Sequence, residues 1–218
     1  MAFGCEILRS DGTYWLTPDQ TPLNMVRRDD VSYPNSPDNI RYYDTGVPTS
    51  RPCCIFMRVI SGASVNGSSQ NTAGFQIQRN GTWQFQMNGV QGNINVRWYV
   101  FSNYVAMTQP YDIAYYNAAG EQTWNGSSRP LQMFRRTVTF AQAVSGAVVL
   151  DAGQPVAVIP TFSGDDNIGS GGLQLMSVFC FKALGNRIYC DESVTREGVA
   201  TGLYVNTYFY INTTLYDL

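Results

Sequence analysis

The chain has 218 residues, with 14 Lys+Arg against 16 Asp+Glu and no His, for a formal charge of −2. Charged residues make up 14% of it, well under the share of about 25% in an average soluble domain. Without His there is no Ser-His-Asp or Cys-His catalytic set and no imidazole metal ligand, and the negative balance argues against a protein that lives on duplex phosphates.

Read along the chain, short apolar or alternating runs recur between turn residues, and no window of helical period stands out. Strands are expected at 3–8 and 14–17, joined through Ser10-Asp11-Gly12, a hairpin turn signal. The stretch 29–52 holds four prolines and many small polar residues, so it reads as a long loop. Strands follow at 54–60, 74–78 and 82–87, the last two joined by an Asn80-Gly81 turn, and then at 94–101. The second part reads as strands at 113–116, 135–140, 147–150, 156–160, 173–182, 187–190 and 203–211. Residues 163–172 (SGDDNIGSGG) read as a second, glycine-rich loop. Either no helix forms or a single turn does, near 117–122. Short strands at this spacing mean an all-β sandwich or barrel.

The five cysteines, Cys5, Cys53, Cys54, Cys180 and Cys190, contain no C-x-x-C. Cys53 and Cys54 are adjacent and would point to opposite faces of a strand. A three-residue loop at 184–186 would set Cys180 directly opposite Cys190, within reach of a cross-strand disulfide. The alternative is two reduced thiols acting as small hydrophobes. No basic start or apolar core marks residues 1–10 as a signal peptide, and no apolar run approaches the ~20 residues that span a bilayer.

The segment 22–28 (PLNMVRR) returns at 130–136 (PLQMFRR), with five of seven positions identical and an offset of 108 residues. At that offset Gly12 falls on Gly120 and Phe3 on Tyr111. The hairpin around Asn80-Gly81 has a counterpart around Gly185-Asn186. The strand 93–103 has one at 203–214, where Tyr99 matches Tyr208 and Asn103 matches Asn212. The expected organisation is therefore two tandem small β-sandwich domains related by internal duplication, at 1–106 and 107–218. A single sandwich with local similarity is the competing reading.

The opening residues 1–4 (MAFG), 6–8 (EIL) and Asp11-Gly12 resemble those of small β-rich tail-tip and baseplate proteins of long-tailed bacteriophages and related prophage tail clusters. Members of that family open on such a strand and Gly-containing turn. They then run through an apolar strand, a Gly/Pro-punctuated middle and a hairpin to a final aromatic strand. Both halves show this order, although Tyr111-Asp112 stands where Phe3-Gly4 does. The resemblance implies a structural virion protein of the tail, made in the bacterial cytoplasm. It would assemble with other tail proteins as a homo- or hetero-oligomer and support fibre attachment or host receptor contact.

The carboxylate pairs Asp29-Asp30 and Asp165-Asp166 are adjacent in sequence, which suits solvated charge better than a glycosidase acid/base pair. Residues 163–172 lack the spacing of a calcium loop. No catalytic residue, cofactor or metal is expected, and the chain reads as a non-enzyme. Arg27, Arg28, Arg135 and Arg136 occupy equivalent places and are expected either at a subunit interface or paired to local carboxylates. Tyr42 and Tyr43 in the expected loop form a candidate contact surface. The alternative function is a carbohydrate- or receptor-binding, lectin-like module at a fibre end. It would use Tyr42 and Tyr43 as a platform, with Asp38 or Asp44 as hydrogen-bond acceptors.

Overall fold

A computed structural model describes residues 7–8, 10, 14–16, 22–34, 36–62, 74–90, 93–105, 113–117, 119–167 and 175–218. The opening residues 1–6, the turn residues Asp11 and Gly12, the expected boundary at 106–110, Tyr111-Asp112 and the glycine run 168–172 lie outside them.

The chain is all-β. A two-residue strand and a three-residue strand, β1 (Ile7–Leu8) and β2 (Tyr14–Leu16), form a first hairpin. Six strands follow: β3 (Asn24–Tyr33), β4 (Ser36–Pro48), β5 (Cys53–Ser61), β6 (Gly74–Arg79), β7 (Thr82–Val90) and β8 (Ile94–Ser102). A second short hairpin is built by β9 (Ala114–Tyr116) and β10 (Gln122–Asn125). Then come β11 (Phe134–Thr137), the one-turn helix α1 (Phe140–Ala143), β12 (Val148–Asp151), β13 (Val156–Val158), β14 (Phe162–Asn167), β15 (Leu175–Leu184), β16 (Arg187–Glu197) and β17 (Thr207–Asn212).

Every pairing inside the first part has a counterpart in the second. Strand β8 lies between β3 and β5, and β17 lies between β11 and β13. Strand β7 lies between β4 and β6, and β16 lies between β12 and β15. All these pairs are antiparallel. In both parts the first strand pairs the last, the second pairs the one before it, and the third and fourth wrap over. This is the nested pairing of a jelly roll. Strand β14, paired to β15, has no counterpart among the described residues of the first part.

The two parts share one curled sheet. Strand β5 meets β13 at Met57↔Val158 and touches β15 in parallel at Val59↔Leu184. On the far side Asn24 bridges Pro130; Leu131 N–H donates to Leu23 C=O at 2.7 Å and Met25 N–H to Arg129 C=O at 2.9 Å. The order β3-β8-β5-β13-β17-β11 is thereby drawn round until the lead-in segments of its outer strands pair.

Alternation along these strands decides where the cores sit. One face of β5 and β8 puts Ile55, Met57, Trp98 and Val100 under the β4-β7-β6 sheet with Phe85 and Met87. Val156, Val158, Tyr208 and Tyr210 do the same under β15 and β16 with Phe181 and Ile188. The opposite face puts Phe56, Tyr99, Phe101, Ala157 and Ile211 inside the curl, with Leu23, Met25 and Leu131 packed against them. Each half buries a core of its own, and a third core belongs to both.

Several sequence expectations are corrected. Residues 29–52 are not a loop, since β3 and β4 occupy most of them. The prolines misled because β4 is an edge strand, where a missing N–H leaves no ladder bond unmade. Residues 162–167 are likewise a strand, held by Asp165, whose carboxylate accepts from Thr201 Oγ1 at 2.7 Å and from Leu203 N–H at 3.0 Å. The one α-helical turn among the described residues is not at 117–122 but at Phe140–Ala143. There Thr139 and Gln142 satisfy each other's backbone N–H in a capping box.

The β15–β16 turn holds two residues, not three. Leu184 pairs Arg187, with only Gly185 at positive φ in the turn (φ 60), as a type II′ hairpin requires. That moves the register by one residue. Cys190 faces Phe181, and Cys180 faces Asp191. The two side chains lie on opposite faces of the sheet and neither takes part in a disulfide, so the candidate cross-strand bridge is not formed.

On the face of β15–β16 away from Phe181, the chain's only lysine, Lys182, is 2% exposed and ion-paired to Asp191. Removing one partner strands a buried charge. Asp191→Ala is expected to cost about 3–5 kcal/mol in urea unfolding, while the apolar pair Lys182→Met with Asp191→Leu stays near wild-type stability. Equal losses in both variants would refute this account.

Candidate functional site

The twin arginine segments pair with the aromatic strands in matching registers. Arg28 stands opposite Tyr99 and Arg136 opposite Tyr208, the residues that also match in sequence. Yet they face different sides. The difference lies in the partner strands, since Tyr99 of β8 belongs to the common core and Tyr208 of β17 to the second half's own core. Arg28 therefore shares the face of Tyr99 and the common core, while Arg136 shares the face of Tyr208 and the second half's own core.

Arg28 belongs to a charge cluster at one end of the curl. The 3-10 turn Thr213–Leu215 carries the chain back under β5 and β8. Tyr216, 1% exposed, packs edge-on against Phe101 at 5.1 Å. Its hydroxyl donates to Pro130 C=O and accepts from Gln132 N–H, each at 2.9 Å. Asp217 then accepts from Tyr99 at 2.8 Å and pairs with Arg58 and Arg97 at 3.0 Å each, with Arg28 at 3.9 Å. Arg97 also grips Asp30 with both arms of its fork, at 2.5 and 2.6 Å. These hydrogen bonds hold the Asp30 carboxyl below its usual range and lift the Arg97 guanidinium above its own. Three arginines thus share two carboxylates.

Beside the cluster opens a cleft of about 570 Å³. It is bordered by residues 24–28 of β3 and its start, by the 125–129 turn after β10, and by Val105 and Leu218. Arg27, Arg28 and Arg129 line it, with no carboxylate side chain among the lining residues. Arg27 is tied to Asp29 at 2.5 Å and donates to Asp44 C=O at 3.1 Å. Arg28 and Arg129 each turn one nitrogen to Tyr216 C=O, at 2.9 and 3.3 Å.

The remaining sequence candidates are dispersed. Arg135 and Arg136 are exposed on β11. Tyr42 and Tyr43 are strand neighbours and point to opposite faces. Tyr43 is buried, stacked on Trp98 at 4.8 Å, and its hydroxyl donates to Asp29 at 2.6 Å. Burial and that carboxylate push its pKa upward. Tyr42 is exposed, with the Arg79 guanidinium 4.0 Å over its ring. Asp44 accepts from Gly46 N–H and Gln84. Burial raises the Cys53 and Cys190 thiols to about 12 and Cys54 to about 11, which leaves almost no nucleophilic thiolate at neutral pH.

Sequence reasoning missed Asp217, Tyr216, Arg58, Arg97 and Arg129. Arg129 directly precedes the repeated segment, and that adjacency was the one signal for it. Among the described residues no group of three or more potential metal ligands gathers, and no helix is long and apolar enough to cross a membrane. Comparison of the chain with protein-family models, with curated proteins and with solved structures finds no match.

Proposed function

We propose that the chain is a structural protein of a bacteriophage tail tip or baseplate, formed by tandem duplication of one small β-sandwich. The observation that carries this reading is the recurrence of the whole pairing scheme on both sides of residue 106. Each half runs from a short hairpin through an arginine strand, a middle of paired strands and a long hairpin to a final aromatic strand. That is the order implied by the resemblance of the opening residues. The contact between halves supports duplication further. Leu131 N–H bonds to Leu23 C=O, and these two leucines hold the same place in the repeated segment. Across the curl, β5 meets β13, the strand in the corresponding place of the second half, antiparallel at Met57↔Val158. A self-complementary contact of this kind is what a two-fold dimer uses, here within one chain.

An assembly role also accounts for the exposed apolar residues Ile113, Leu203, Val199 and Met133, which are 71%, 65%, 57% and 46% exposed. Partners in a particle would cover them. In the lectin-like alternative, a sugar would need the Tyr42 ring face, where Arg79 already lies. The test is to purify tailed particles that encode the chain and label it with gold for electron microscopy. Gold at the distal end of the tail is expected. Its absence from particles, or its presence on the head, overturns the proposal.

A further inference from the structure

We infer that the cleft beside β3 is a docking site for an acidic, extended peptide segment of a neighbouring protein, which adds as a strand to the open edge of β3. Three observations meet here. The first is the edge itself. The 129–131 segment covers the outer edge of β3 only as far as Met25, whose N–H it accepts. Beyond Met25, among the described residues, β3 pairs with β8 alone. An unpaired edge offers a row of N–H and C=O groups that a peptide backbone matches.

The second observation is charge. The cleft follows that edge through Met25, Val26, Arg27 and Arg28, with Arg129 facing it from the neighbouring turn. Arg28 and Arg129 spend their Nη1 atoms on C-terminal carbonyls. Their other guanidinium nitrogens have no protein acceptor among the described residues. These forks suit carboxylates. Because Arg27 and Arg28 are consecutive on a strand, they point to opposite faces. A strand laid beside them meets both only if it carries two consecutive acidic residues, one for each face. A little further along, Asp29 and Asp30 are already held by Arg27, Tyr43 and Arg97, so the acidic run sought is short.

The third observation is Asn24, a lining residue only 1% exposed. Its amide nitrogen donates to Pro22 C=O at 3.2 Å and Thr123 C=O at 3.4 Å, while its Oδ1 has no partner. Buried acceptors are rarely left so; this one lies where the 129–131 segment already covers β3, so it marks a polar wall of the cleft rather than a contact of the added strand. A saccharide carboxylate would satisfy the arginines too, but it offers nothing to a strand edge.

The site is independent of the particle experiment. Only the identity of the partner rests on the structural-protein reading, and failure of gold labelling leaves the peptide measurement intact. The full-length chain is titrated with the capped hexapeptide Val-Thr-Glu-Glu-Thr-Val and with its Gln-Gln counterpart, followed by calorimetry and by backbone amide shifts. The Glu-Glu peptide is expected to bind at least about tenfold tighter than the Gln-Gln peptide, consistent with about 1.4 kcal/mol per decade. It should shift the amides of Val26, Arg27 and Arg28 and weaken steeply with salt. Arg27→Gln should lose about tenfold in affinity. A capped peptide with no binding, equal binding of both peptides, or preferential binding of an oligogalacturonate without β3 amide shifts would each overturn the inference. The Gln-Gln control keeps the test decisive even if Arg27→Gln misfolds.

Discussion

Tyr216→Ala is expected to lower stability by about 3–5 kcal/mol, the range for removing a large aromatic from a core. In a chain of this size that corresponds to a fall in Tm of roughly 10 °C. Tyr216 lies two residues from the end of the given sequence, where fraying is the ordinary expectation. Here it fills the shared core against Phe101 and Tyr99 and ties the 130–132 segment through two hydrogen bonds. Its removal opens a cavity at the seam where Leu23 and Leu131 pair. Tyr216→Phe keeps the ring and strands a donor and an acceptor, for a loss of about 1–3 kcal/mol. Asp217→Ala releases Arg28, Arg58 and Arg97 from their common acceptor. Since Arg58 and Asp217 are mostly buried, a loss of about 2–4 kcal/mol is expected, below the figure for a wholly buried pair. Thermal unfolding by circular dichroism decides among these. A Tyr216→Ala protein that melts with the wild type would show that the last residues are not part of the core.

Stability is expected to collapse in alkali within a narrow range. Cys54 is raised to about 11, and Cys53, Cys190, Tyr33 and Tyr208 to about 12, with burial as the first cause in each. Tyr43 and Tyr99 move further in the same direction. In the unfolded chain these thiols and phenols ionise near about 8.5 and about 10. Between those values and the folded ones, the native state binds more protons than the unfolded state. Raising the pH therefore favours unfolding. The contribution of each group is whole below its unfolded pKa and is lost as the pH climbs toward the folded value. Stability should be flat to about pH 8 and fall steeply from about pH 9 to 12. The tyrosinate absorbance contributed by Tyr33, Tyr43, Tyr99 and Tyr208, isolated by Tyr→Phe difference spectra, should rise late and together with loss of the far-ultraviolet β signal. Titration of these four near about pH 10 with the fold intact would contradict the burial described here. At the acid end, Asp30 works in the other sense. Its lowered pKa gives stability present above the unfolded carboxyl value near about 3.9, lost as the pH falls through the folded one.

Local chemistry was the legible part of the chain. The Asn80-Gly81 turn forms with both residues at positive φ, 53° and 81°, and sets Arg79 opposite Thr82. The strand read at 94–101 is β8, Ile94–Ser102, and its alternation divides Trp98 and Val100 from Tyr99 and Phe101. Reading failed where a neighbour overruled composition. Pro37 and Pro48 sit inside an edge strand because β7 supplies the pairing on the other side. Cys180 and Cys190 missed each other because one residue of turn length decides every pair beyond it. Arg28 and Arg136, alike in sequence, separate because their matching partners Tyr99 and Tyr208 face different cores, which composition does not mark.

The sequence alone determined that the chain is built of strands, where the Asn80-Gly81 hairpin turns, and that residues 22–28 have a counterpart at 130–136. These follow from period-two alternation, Asn-Gly turn chemistry and direct comparison, all of which act over a few residues. The tertiary structure decided that β5 meets β13, that Leu23 meets Leu131, and that Tyr216 and Asp217 return across the chain to close the end of the curl. It also decided that Arg28, Arg58 and Arg97 gather on Asp30 and Asp217 beside an arginine-lined cleft. Such contacts join residues more than a hundred positions apart. They depend on which sheet edges meet and on the exact face each side chain takes, and a single inserted residue reverses that face.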